Sequence, residues 1–226
     1  MFDEKKLVFT VLFAVLALAA YQLNFSSVLG TENQSFTLFQ FMGPITGMFL
    51  GPVLGVAAIL ATEAANFLLV GKQLALFNLL RFAPMLFAAY YFGAGKKGRW
   101  VAAVPIACML LFWLHPVGQQ AWFYALYWLI PLAAKLAPNR LFSKSLGATF
   151  TAHAVGSIAF LYSFPTEPAL WLSLIPVVAY ERLLFAGGIA FSYIAMNTVL
   201  NMLSTRVDLR ALNLEPKYAL LKAKTE

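Results

Sequence analysis

Four ionisable side chains, Glu63, Arg81, Glu181 and Arg182, stand inside stretches that are otherwise too apolar to hold them. A charge at the middle of a bilayer costs roughly 2.5–3.5 kcal/mol on insertion scales, so each needs a partner or a water-filled site. Their signs cancel. Glu63 lies eight residues before Gly71, and Arg81 seven residues after Leu74. At about 1.5 Å of rise per residue, both come to rest about 10–12 Å below one face, on consecutive antiparallel segments. Asn66 and Asn78 extend these two polar faces outward by one turn. Glu181 and Arg182 belong to the outer half of the last span, and His153 is nearer the middle of the seventh, with Ser157 and Thr149 a turn to either side. This layer predicts an outward-opening pocket. An anionic group would meet Arg81 or Arg182, and a cationic or hydroxyl group Glu63 or Glu181. The competing reading is structural: salt bridges such as Glu63 with Arg81, and a packing histidine at His153.

Catalytic signatures are missing from the sequence. It contains no Gly-x-Ser-x-Gly elbow, no His-Glu-x-x-His and no phosphate-cradling loop. Cys108 and His115 share a helix face, but two turns separate them by about 10 Å, too far for a nucleophile–base hydrogen bond. One cysteine and two histidines exclude a disulfide framework and a thiolate zinc site. No catalytic residue, metal-ligand set or cofactor is therefore expected.

The elements that must position these groups are membrane helices. Of 226 residues, 62% are hydrophobic and 11% charged, where a soluble domain has roughly half and one quarter. Apolar stretches run over Leu7–Leu29, Phe36–Leu50, Gly51–Val70, Leu74–Ala94, Trp100–Leu114, Gln119–Ala134, Leu146–Phe164 and Ala169–Leu203, the last broken at Pro176. Counted singly they give eight crossings, or six to seven if a short one is re-entrant. With the N-terminus inside, eight crossings put 13 of the 16 basic residues on cytoplasmic loops and tails, and only Lys72 outside. The net charge of +7 is thereby a topology signal, and no basic patch is left over for nucleic acid. The expected fold is an all-α integral membrane protein of the cell membrane, a compact bundle of six to eight spans with both termini cytoplasmic. It forms one domain, 1–226, with residues 204–226 a short amphipathic cytoplasmic tail. Trp100, Trp122 and Trp171 fall near span ends, as an interfacial belt requires. Asn33-Gln34-Ser35 is a glycosylation sequon in the first outer loop.

Gly43, Gly47, Gly51 and Gly55 recur every four residues, a GxxxG pattern that lets helices approach closely. Pro44 and Pro52 interrupt it. The reading that reconciles both ends one short helix near Gly51 and starts the next with Pro52 in its first turn, a broken helix. Further small-residue stripes are Ala148, Ala152 and Gly156, Ala186 and Ala190, and Thr10 and Ala14.

The run FQFMGPITGMFLGPVLGVAAILATEAANFLL, Phe39–Leu69, resembles the substrate-binding membrane subunits (S components) of energy-coupling factor transporters, and IPVVAYERLLFAGGIA, Ile175–Ala190, is similar to the start of their last helix. The resemblance implies uptake of a vitamin-like or metal-ion substrate bound near the outer face. It also implies a coupling membrane protein and two ATPases as partners. On the depth argument Glu63, Asn66, Arg81, His153, Glu181 and Arg182 would line that site. The family usually has six spans, so Trp100–Ala134 would be an additional hairpin. Its first helix carries Ala-x-x-x-Ala, whereas here Ala14 is followed by Leu18. Two other readings are a noncatalytic packing subunit of a larger membrane complex, and an intramembrane enzyme using His153 and Glu181.

Overall fold

The computed structural model describes residues 4–27, 35–95, 98–137 and 140–221. Helix α1 (Glu4–Tyr21) leads into a two-stranded antiparallel hairpin, β1 (Asn24–Ser27) and β2 (Ser35–Thr37). Asn24 pairs with Thr37 and Ser26 with Phe36, with an irregularity between them. The expected first span to Leu29 therefore stops eight residues early. Asn24, Ser26 and Ser27 are poor helix formers, and pairing with β2 satisfies their backbone instead. Asn33 of the sequon lies outside the described residues, as do Lys96, Lys97, Lys222 and Lys224.

Helix α2 (Phe39–Leu50) carries Pro44 inside it, and α3 (Pro52–Leu69) begins with Pro52. Between them Gly51 adopts φ +83°, a left-handed conformation that glycine reaches without steric penalty. The broken helix is thus where the Gly-Pro pair predicts it. The four glycines of the ladder do different things. A side chain on Gly47 would strike the Ala89 carbonyl, and one on Gly55 would strike the Gly47 backbone. Gly93 likewise abuts Gly47, so α2, α3 and the helix Ala83–Gly93 meet backbone to backbone at Gly47. Gly43 makes room for the Met85 side chain, whereas Gly51 serves the turn and packs against nothing closely.

The fourth stretch is two helices, α4 (Leu76–Leu80) and α5 (Ala83–Gly93), which part at Arg81. A 3-10 turn (Arg99–Ala102) continues into α6 (Ala103–Leu114). The return path is composite: α7 (Pro116–Gln120), a 3-10 stretch (Trp122–Trp128) and α8 (Leu129–Leu136). His115 caps α7, its Nδ1 accepting from the Val117 N–H at 3.3 Å. Cys108 is buried away from that role. Two long helices complete the chain, α9 (Leu141–Ser163) and α10 (Pro168–Leu203). Contrary to expectation, Pro176 does not break α10. A proline inside a helix removes one N–H donor, and α10 continues through it with Trp171 and Val178 buried in the core on either side.

By length and apolarity α3 and α10 are candidate membrane spans, which points to membrane association. Two hydrophobic cores are present. The first gathers α1, α2, α3, α5, the start of α9 and the end of α10 around Phe49, Phe92 and Tyr193. The second packs α6, the 3-10 stretch, the later part of α9 and the start of α10 around Phe112, Trp128 and Trp171. Trp171, expected in an interfacial belt, is buried there, while Trp100 and Trp122 are exposed. The tail returns along one end of the bundle as a strap. Leu209 and Leu212 are buried, and the Asn213 N–H donates to the Phe49 carbonyl at 2.8 Å, capping the end of α2. Lys5, at the start of α1, pairs with Asp208 at 2.6 Å. Lys5, Lys135, Lys144, Arg206, Arg210 and Lys217 consequently share the end of the bundle opposite the hairpin.

Candidate functional site

Between the two cores, toward the hairpin end, lies a cavity of about 400 Å³. Its wall draws on the end of α1, the hairpin, α2, α3, the α4–α5 break, the 3-10 stretch and the facing parts of α9 and α10. Glu63, Arg81, His153, Ser157, Glu181 and Arg182 all line it. Asn66 and Asn78 do not. Asn66 is buried with its Oδ1 accepting from Gln22 Nε2 at 3.2 Å, and Asn78 Nδ2 donates to the Gln73 carbonyl at 3.0 Å.

At one end of the cavity Glu63 is 5% exposed, and its carboxylate accepts one hydrogen bond, from the Tyr21 hydroxyl at 3.3 Å. Among the described residues it forms no ion pair, so the anticipated Glu63–Arg81 bridge is not made. Arg81 and Lys72 are nonetheless close enough to act on it electrostatically. Arg81 is exposed and forms no hydrogen bond or ion pair among the described residues. Lys72, in the loop after α3, has its pKa lowered by partial burial and by the neighbouring Arg81 charge, with Glu63 opposing.

The other end is internally satisfied to a greater degree. Arg182, 7% exposed, donates from Nη2 to Glu181 Oε2 at 3.2 Å and from Nη1 to Thr149 Oγ1 at 3.4 Å. Its guanidinium carbon sits 4.2 Å from the Phe185 ring centre and 5.7 Å from that of Phe36. This cation–π packing ties α10 to the hairpin. Its Nε is buried and without a partner. Trp128 Nε1–H donates to His153 Nδ1 at 3.1 Å, and His153 Nε2 lies 2.9 Å from the Tyr124 hydroxyl and 3.4 Å from Ser157 Oγ. An indole N–H can only donate, so Nδ1 carries a lone pair and the ring is neutral with its proton on Nε2.

Aromatic residues form much of the wall. Phe36, Phe39, Phe77, Phe160 and Trp171 line the cavity, and so do Gln40 and Tyr124. Tyr21, Gln40 and Tyr124 are polar lining groups that the sequence reading missed. Tyr124 sits on a 3-10 stretch with no helical period to follow, and Tyr21 and Gln40 flank a hairpin read there as helix and loop. The Trp100–Ala134 segment supplies the Tyr124 wall.

The chain is similar to an uncharacterized protein of Methanocaldococcus jannaschii, 29% identical over a 163-residue alignment that covers 63% of this chain and 54% of the relative. It thus spans about half the length of the curated relative it matches. No protein-family model matches. No solved structure matches.

Proposed function

We propose that the chain is a multi-pass membrane protein that binds a small organic molecule for uptake, resembling the S component of an energy-coupling factor transporter. The observation that carries this reading is the cavity in which Glu63, Arg81, Glu181 and Arg182 converge. Glu63 and Arg182 are buried, and charge inside a bilayer is expensive and is retained where it serves a ligand or an ion path. The outward faces of α1 support the membrane setting. Leu7, Val8, Val11, Leu12, Val15 and Leu16 are all exposed there, an apolar stripe suited to lipid or to a partner helix. Eight crossings follow if α2 and each composite stretch count once. Under the positive-inside rule the basic end is cytoplasmic and the cavity faces outward.

Of the two substrate kinds the resemblance implies, the organic one fits better. Among the described residues no group of three His, Cys, Asp or Glu side chains gathers to hold a metal ion. With no nucleotide-binding loop in the sequence, active transport would need a coupling membrane protein and ATPase subunits as partners. The packing-subunit reading is weakened, because Gly47, Gly55 and Gly93 spend their close approach inside the chain.

The test is mass spectrometry of small molecules released from gently purified protein, with Arg81→Ala beside it. A stoichiometric compound that disappears in a folded Arg81→Ala variant is the expected result. Empty wild-type protein that also fails to bind compounds in a stability screen would overturn the reading.

A further inference from the structure

The proposed binding reading leaves open what chemistry the cavity selects, and its two ends differ in a way that answers this. At the α9–α10 end the charges pair with each other: Arg182 pairs with Glu181, leaving its Nε without a partner, and His153 is held neutral by the Trp128 N–H. Because His153 Nε2–H is directed to the Tyr124 oxygen, the Tyr124 hydroxyl hydrogen remains available to Ser157 or to a guest. That end reads a neutral hydrogen-bonding tip. At the α3–α4 end the charges are unspent. Glu63 holds one long hydrogen bond, from the neutral Tyr21 hydroxyl, on a carboxylate that can accept about four. Arg81 offers five N–H donors with no partner among the described residues. A buried carboxylate so poorly satisfied is stabilised by a guest that brings cationic N–H donors, and the guanidinium beside it by one that brings a carboxylate. Aromatic rings line much of the remaining wall.

We infer that the cavity takes a zwitterion of amino-acid type with an aromatic body: its ammonium against Glu63, its carboxylate against Arg81, and its ring among Phe39, Phe77, Phe160 and Trp171. The volume of about 400 Å³ lies at the small end of ligand pockets, which run from roughly 300 to 1,000 Å³, and suits one or two fused rings rather than a nucleotide.

The inference rests on the binding reading, and the experiment separates the two. Binding of L-tryptophan, L-tyrosine and L-phenylalanine to the purified full chain is measured by calorimetry, and the tightest is compared with its decarboxylated amine and its deaminated acid. The zwitterion should bind, and loss of either charged group should weaken it at least tenfold. Glu63→Gln should weaken the zwitterion and the amine while sparing the acid; Arg81→Gln should weaken the zwitterion and the acid while sparing the amine. Should Glu63→Gln fail to fold, the ligand comparison on the wild-type protein still decides. An amine or acid that binds as tightly as the zwitterion overturns the inference, as does failure of all three amino acids. In the latter case a stoichiometric, non-zwitterionic compound released from the protein would leave the binding reading standing. An empty protein would remove both.

Discussion

The Trp128 indole nitrogen stands 3.1 Å from His153 Nδ1, and the opposite ring nitrogen stands 2.9 Å from the Tyr124 hydroxyl. One donor-only group thereby sets the direction of the whole chain, from indole to imidazole to phenol to the cavity. His153 becomes a relay of hydrogen-bond polarity, with no unpaired nitrogen left to take a proton from a substrate.

Replacing Trp128 by phenylalanine removes that direction while keeping most of the ring packing against Phe112. The imidazole should then populate both neutral tautomers. Nitrogen-15 spectra of labelled histidine would show this as averaged Nδ1 and Nε2 shifts, against one protonated and one bare nitrogen in the wild type. The lost hydrogen bond should cost about 1 kcal/mol of stability. An unchanged spectrum would refute the assignment.

The backbone contact at Gly47 makes a sharper stability prediction. A methyl group there collides with the Ala89 carbonyl, and neither backbone can yield without separating α2 from α5. Gly47→Ala should destabilise by about 1–3 kcal/mol or more, the range of overpacked cores. Gly187→Ala meets nothing within 4 Å on α10. It should stabilise by about 0.5–1 kcal/mol through helix propensity. Thermal unfolding in one detergent compares them directly.

These residues also show how far the sequence could be read. Gly51 and Pro52 announce the helix break because the chemistry is local: one residue tolerates a left-handed φ, and the next has no N–H to lose. Grouping Glu63 and Arg81, which line one cavity, needed only the helix rise and the ends of two apolar stretches. Tyr124 and Trp171 were not accessible by such means. Tyr124 lies on a 3-10 stretch, where no 3.6-residue period marks a face, and Trp171 near a span end reads as interfacial until a second core is seen to cover it. The absent Glu63–Arg81 bridge is beyond sequence for another reason. The helix rise fixes the axial coordinate of a side chain but leaves its azimuth open, and Arg81 stands exposed at the α4–α5 break.

Asn197 fastens the tail strap. It is fully buried, its Nδ2 donating to the Glu215 carbonyl at 2.8 Å and its Oδ1 accepting from the Glu215 N–H at 3.0 Å. Asn197→Ala leaves both backbone groups without partners, a loss of about 1–3 kcal/mol for a buried polar group. Because Thr198 still accepts from the Leu220 N–H, the strap should loosen rather than detach. Faster amide exchange over residues 209–221 and quicker tryptic cleavage after Lys217, with α9 unaffected, are the expected signs. Uniform protection across the chain would show that the strap is held elsewhere.

Asp208 gives the fold an acid sensitivity at the same end. Its carboxylate bonds Arg210 Nε at 2.8 Å and Lys5 Nζ at 2.6 Å, and also accepts from the Arg210 N–H at 3.2 Å. The Arg210 side chain, then Lys5, then that backbone N–H hold its pKa well below the usual carboxylate range. A folded-state pKa below the unfolded one, about 3.9 for aspartate, contributes stability that is fully present above the unfolded value. That contribution is lost as pH falls from there toward the folded pKa. Wild-type thermal stability should therefore decline below about pH 4, with α1 separating from the strap, and Asp208→Asn should flatten that part of the curve. High salt should shrink the difference, since these groups face solvent. Parallel acid profiles for the two proteins would mean that the Lys5–Asp208 pair does not hold α1 to the strap.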